Sequence, residues 1–211
     1  MLRSLRSALA RFAVRRAAAC QRHAPRRADL WLRCGAVVSP AFAEPFRALV
    51  HLRRAVEDRW GALRAAQAAT DRFPDNPDAW MLLGDAYQMA FRQKEALVAY
   101  EQALALEERP DAAIAAGELY RRAGQHAEAA ARFARAYAAG GGADALWLNA
   151  QALFHAGDEL AADEALGLWA TQVSDGLERL KEARAEIRAE RRGGGGATGG
   201  TGGTGGTGGG R

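Results

Sequence analysis

The sequence predicts an all-α fold built from paired helices stacked in a row, and three observations predict it. The first is a period. Gly84, Tyr87, Ala96, Tyr100 and Ala103 recur 33 positions later as Gly117, Tyr120, Ala129, Phe133 and Ala136. A further step of 33 reaches Ala150, Leu153, Ala162, Leu166 and Trp169, all small or apolar, and a step back of 34 takes Ala96 to Ala62 and Ala103 to Ala69. The second is punctuation. Pro74, Pro77 and Pro110 stop one helix or open the next, because proline lacks an amide hydrogen and fits only a helix's first turn. Gly124 and Gly157, also 33 apart, mark turns inside the pairs. The third is composition: 49% of the 211 residues are hydrophobic, many of them alanine, which favours helix and close helix packing.

The clearest unit spans residues 77–109, where Trp80-x-x-Leu83-Gly84-x-x-Tyr87, Ala96-x-x-x-Tyr100 and Ala103 follow in order. Gly84 has no Cβ and lets one helix approach its partner. Ala96 and Ala103 are small residues on the facing helix. Trp80, Leu83, Tyr87 and Tyr100, spaced by helical turns, fill the seam. This pattern resembles the tetratricopeptide repeat (TPR), W-x2-L-G-x2-Y followed by A-x3-F over 34 residues, with Tyr100 as the departure from Phe. The resemblance implies a right-handed superhelical solenoid of TPR helical hairpins. It further implies that the first helix of each unit (helix A) lines a concave groove while the second (helix B) packs outward.

In chain order, residues 1–28 come first. They carry eight arginines and no acid. As a helix, Leu2, Leu5, Leu9 and Phe12 share one side, and Arg3, Arg6, Arg11 and Arg15 lie largely on the other. A basic, acid-free amphipathic segment has the composition of a mitochondrial or plastid transit peptide. An Arg- and Ala-rich bacterial background and a permanent membrane-surface arm stand as alternatives. The location that follows is a mitochondrion or plastid for a eukaryotic source, or the bacterial cytoplasm otherwise. Either way the arm reads as dispensable for folding, with membrane or import-machinery contact as its role. Residues 29–42 read as a connector with turns at Gly35 and Ser39-Pro40; Ala41-Phe42-Ala43 also fits a small-x-small cleavage site. The TPR array spans 43–172: a degenerate unit over 43–76, then 77–109, 110–142 and 143–172. Residues 173–192 predict a C-terminal capping helix, opened by Asp175 and Glu178 as a capping box, with a short coiled coil as the rival. Residues 193–211 are almost all Gly and Thr and predict a disordered tail. No run of apolar residues is long enough for a transmembrane helix. Cys20 and Cys34 have no metal-ligand spacing and read as ordinary thiols.

No catalytic constellation emerges. His51, His126 and His155 are isolated in sequence, and no H-E-x-x-H, G-x-S-x-G or phosphate-loop motif occurs. The reading is therefore not an enzyme, with no catalytic residue, cofactor or metal. The resemblance implies that positions 2, 5, 9 and 12 of each unit face the groove. Apart from the leading acids, those residues are Arg47, His51 and Arg54; Met81, Asp85 and Gln88; Ile114, Glu118 and Arg121; and Trp147, Gln151 and Phe154. The leading acids of the last three units are Asp78, Asp111 and Asp144. Chaperone-binding members of the family hold a peptide's terminal carboxylate with a Lys and Asn clamp; Asp85, Gln88 and Glu118 stand there instead and imply another ligand class. The function implied is a protein–protein interaction scaffold or assembly adaptor that takes a partner peptide or helix. An organellar RNA-associated role through the basic arm is the alternative, and Asp78, Asp85, Asp111, Glu118 and Asp144 oppose it.

Overall fold

The computed structural model describes residues 2–20, 23–38, 44–174, 176, 178–182, 184 and 185. Among them run ten helices: α1 Leu2–Cys20, α2 Pro25–Val38, α3 Glu44–Ala55, α4 Arg59–Arg72, α5 Pro77–Met89, α6 Gln93–Leu106, α7 Pro110–Arg122, α8 His126–Ala138, α9 Gly142–Ala156 and α10 Glu159–Gln172. The described residues include no strand. Each helix packs mainly on its neighbours in sequence, and the result is an all-α solenoid of hairpins.

The same turn closes four of the hairpins. The amides of Asp58, Arg92, Gln125 and Asp158 donate to the carbonyls of Arg53, Tyr87, Tyr120 and Leu153, five residues back. This bond needs a left-handed residue just before the donor, as in a Schellman cap. Glu57, Phe91, Gly124 and Gly157 take that place, with φ of 57°, 59°, 75° and 92°. The spacing of the predicted glycines is thus a spacing of turns, and in the first two hairpins the position is filled without glycine. Side-chain caps add to the punctuation. Asp58, Asn76 and Asp158 accept from the amides of Gly61, Asp78 and Ala161, and Pro77 and Pro110 open α5 and α7.

Inside a hairpin, glycine meets an aromatic ring. A Cβ on Gly84 would stand 2.4 Å from the Tyr100 ring, and one on Gly117 would stand 2.6 Å from the Phe133 ring. Both rings are buried, at 1% and 0% exposure. Around them the interior is lined with alanine: 25 of the 40 buried apolar side chains among the described residues are Ala.

Two expectations for the first 42 residues are corrected. The stretch read as a connector carries α2. Its Ala28, Leu32 and Ala36 recur every four residues, are buried, and join the core cluster of Phe46, Leu49 and Leu83. Gly35 makes no turn; a Cβ there would touch Ala13 of α1 at 3.0 Å, so it serves helix contact as Gly84 does. Nor is the arm free of the array. Ala10, Ala13 and Ala17 of α1 are buried, and α1 packs on α2 and α3. The large residues of its predicted apolar side, Leu5, Leu9 and Phe12, are 59%, 48% and 51% exposed.

At the other end, residues 178–182 are helical. Leu180 packs on the cluster of Ala150, Phe154 and Leu166, as a capping helix requires. Arg184, which interrupts the apolar stripe in sequence, donates to Asp163 of α10 at 2.9 Å. Asp175, proposed to cap this helix, and the Gly/Thr segment 193–211 lie outside the described residues.

Candidate functional site

The first helices of the hairpins, α3, α5, α7 and α9, carry the expected groove residues. α3 touches α5 and α7 touches α9, and Arg109 links the starts of α5 and α7 through Asp78 and Asp111. The sequence reading makes the middle of this surface acidic. The structure spends most of that charge internally. Asp78 at the start of α5 is met by Arg47 at 3.4 Å and by Arg109 at 2.6 Å. Arg109 reaches on to Asp111 of α7 at 2.9 Å, and these hydrogen bonds, that to Asp111 foremost, raise its already high pKa. Glu118 is taken by Arg121, one turn on, at 2.7 Å.

Asp85 differs. Among the described residues no ion pair engages it. Its partner is the Tyr100 hydroxyl, which donates to Asp85 Oδ1 at 2.7 Å and accepts from Gln88 Nε2 at 3.0 Å. Tyr100 stands where the repeat has Phe, and its hydroxyl links the buried ring to Asp85 and Gln88 of α5. Burial pushes the Tyr100 phenol above its ordinary range, and the Asp85 charge adds to the shift. Asp85 is exposed as a residue. Even so, loss of water around its carboxylate raises its pKa, against the hydrogen bond from Tyr100 and the positive fields of Arg54 and His51. His51 and Arg54 are themselves exposed on α3.

The apolar positions divide. Met81 and Ile114 are half-buried and rest on the cluster of Tyr100, Ala113 and Ala116, leaving part of each side chain at the surface. Trp147 is half-buried with its ring centroid 5.3 Å from that of Trp169 on α10. Gln151 is half-buried beside it on α9. Phe154, mapped to the groove by position, is only 6% exposed and packs with Ala162, Ala165 and Leu166, so it belongs to the core. Two residues were missed. Arg109 precedes the helix-opening Pro110 and lies outside the groove positions; its signal is two leading acids, Asp78 and Asp111, one period apart. From spacing alone Tyr100 is a seam filler; its departure from Phe marks the added hydroxyl.

No protein-family model matches the sequence, and no curated protein matches it in sequence. Solved structures do match it in fold. A crystal structure of MamA is 16% identical with a TM-score of 0.62, over 81% of this chain and 91% of the other. TTC0263, a thermophilic TPR protein in Thermus thermophilus, is 16% identical with a TM-score of 0.56, over 83% and 99%. Yeast Tom70 is 16% identical with a TM-score of 0.64, over 85% of this chain but 40% of its own. With the glycine–aromatic contacts and the repeated turn, this likeness shows a tetratricopeptide-like helical-repeat fold.

Proposed function

We propose that the chain is a protein-interaction scaffold whose first-helix surface takes a segment of a partner protein, with Asp85 as the anchor for a lysine or arginine of that segment. The observation that carries this reading is the hydrogen-bonded Gln88–Tyr100–Asp85 chain. It fixes a carboxylate at the surface while the neighbouring acids are consumed by arginines. A cation brought to Asp85 meets an oriented, partly desolvated acceptor, where an ion pair contributes more than one in open water. Met81, one turn before Asp85 on α5, and Ile114 on α7 supply apolar contact area, and Trp147 extends it toward α9. A rigid repeat surface limits the ordering cost of binding. Arg47, Gln88 and Arg121 then orient Asp78, Tyr100 and Glu118, while His51, Arg54 and Gln151 border the bound segment.

The test is selection from a random peptide library on the full chain, followed by affinity measurement on the enriched peptides. Enriched sequences should place Lys or Arg beside apolar residues. Asp85→Asn should weaken them by about 1–3 kcal/mol and flatten their salt dependence, and Met81→Ala should weaken them by a similar amount. Peptides without a basic residue, or affinity indifferent to Asp85→Asn, would overturn the assignment. Tighter binding of a generic RNA by Asp85→Lys and Glu118→Lys than by the native chain, with peptides unaffected, would favour nucleic acid instead.

A further inference from the structure

The surface at the first end of the array has a different chemistry. Helix α1 buries its alanines, Ala10, Ala13 and Ala17, against the array, and this turns its largest side chains outward. Leu5, Leu9 and Phe12 follow at steps of four and three, so they form one exposed stripe. Phe12 meets Trp31 of α2 edge-on at 5.8 Å, and the Arg16 guanidinium lies 5.8 Å from the same ring, so the stripe ends on an aromatic and a cation. Arg6, Arg11, Arg15 and Arg16 are exposed around it, and α1 has no acid to pair with them. Alanine-lined packing is the rule throughout this array; α1 is set apart by three large apolar side chains that stand exposed in one stripe among arginines.

The charge of the whole chain is sorted the same way. Eight of its 29 basic residues and none of its 25 acidic residues fall in positions 1–28, so a formal charge of +4 is a +8 end on a remainder of −4. We infer that α1 docks the chain on an anionic lipid bilayer, with Leu5, Leu9 and Phe12 entering the interface and the arginines meeting the headgroups. A basic helix with an apolar stripe and no acid suits that surface, where charge draws it in and apolar burial holds it. Aromatic and arginine side chains at the edge of the stripe suit the headgroup level. No described helix is long and apolar enough to cross a membrane, so the contact is peripheral. The net-negative remainder is repelled by the same surface, which directs the array away from the bilayer and leaves Asp85 in water.

The test uses the full chain with unilamellar vesicles, either neutral phosphatidylcholine or phosphatidylcholine with about a third phosphatidylserine. Sedimentation should show binding to the anionic vesicles only, fading as salt is raised. The combined variant Leu5→Ser, Leu9→Ser, Phe12→Ser changes exposed positions and should keep its helical circular dichroism while binding about tenfold more weakly or less. Arg11→Glu with Arg15→Glu should also release the protein. Failure to bind anionic vesicles at low salt would overturn the proposal. So would wild-type binding by the triple serine variant, since the arginines alone would then explain it. In that case an RNA oligonucleotide that competes the protein off the vesicles would identify a general polyanion site. Peptide binding at Asp85 in the triple serine variant should be unchanged, which separates this surface from the other.

Discussion

At Gly84 and Gly117 a hydrogen atom stands where any larger group would enter an aromatic ring. Both rings are enclosed by their hairpins, so neither can swing aside into solvent. Gly84→Leu and Gly117→Leu should each destabilise by roughly 1–3 kcal/mol or more in urea melts. Gly124 is a different case. Nothing lies within 4 Å of a Cβ there, but φ is +75°. Gly124→Ala should therefore cost about 1 kcal/mol through its backbone alone. The same position in the preceding hairpin gives the converse test. Phe91 holds φ of 59° with its ring 73% exposed and the Arg59 guanidinium 4.8 Å from its centroid. Phe91→Gly relieves a left-handed strain of about 1 kcal/mol and loses an exposed stacking contact of about 0.5 kcal/mol. It should melt at or above the native temperature, and a clear drop would mean that the ring supports the turn. Spacing made the glycine–ring contacts legible in the sequence. It did not reveal the backbone sign at Glu57 and Phe91, because neither residue advertises a left-handed turn.

At the scale of helices, the sequence showed α3 to α10 through a recurring pattern of small and aromatic residues. It concealed α2 because that helix shares none of the repeat's marker residues. Its buried stripe is Ala28, Leu32 and Ala36, too sparse to stand out among so many alanines. The interactions that bind it came from far along the chain. Arg53 of α3 reaches Asp29 at 2.6 Å, and Arg72 of α4 donates to the terminal carbonyls of Ala36 and Val37 at 3.2 and 3.0 Å. Removal of residues 1–38 uncovers Phe46 and Leu49 and takes these contacts from Arg53 and Arg72. The fragment from residue 44 should melt at least about 4 °C below the full chain, where a dispensable arm would leave the midpoint in place. A second joint responds to acid. His126 opens α8, with its ring centroid 5.2 Å from that of His155 at the end of α9, and its Nδ1 is buried without a hydrogen-bond partner. Burial first, then the nearby His155 and Arg121, holds its pKa below the ordinary imidazole value. The folded state thus resists a proton that the unfolded chain accepts. Its contribution is intact above about pH 6.5 and is lost as pH falls toward the depressed value. Thermal midpoints should decline on acidification across that window, and His126→Gln should flatten the decline.

For the whole molecule, the repeat pattern foretold the solenoid but not the distribution of charge over it. Asp78, Asp111 and Glu118 are acidic in any reading of the sequence. Only the folded chain shows that Arg47, Arg109 and Arg121 neutralise them and leave Asp85 apart. The prevalence of alanine in the interior has a calorimetric consequence. An alanine surrenders much less apolar surface to water on unfolding than a leucine or phenylalanine does. Heat capacity of unfolding and denaturant sensitivity both scale with that surface. Per residue, both should fall at the low end of the globular range, about 12 cal/mol/K or less for the heat capacity. The free energy of unfolding would then change gently with temperature, and the array would lose little of its stability on cooling.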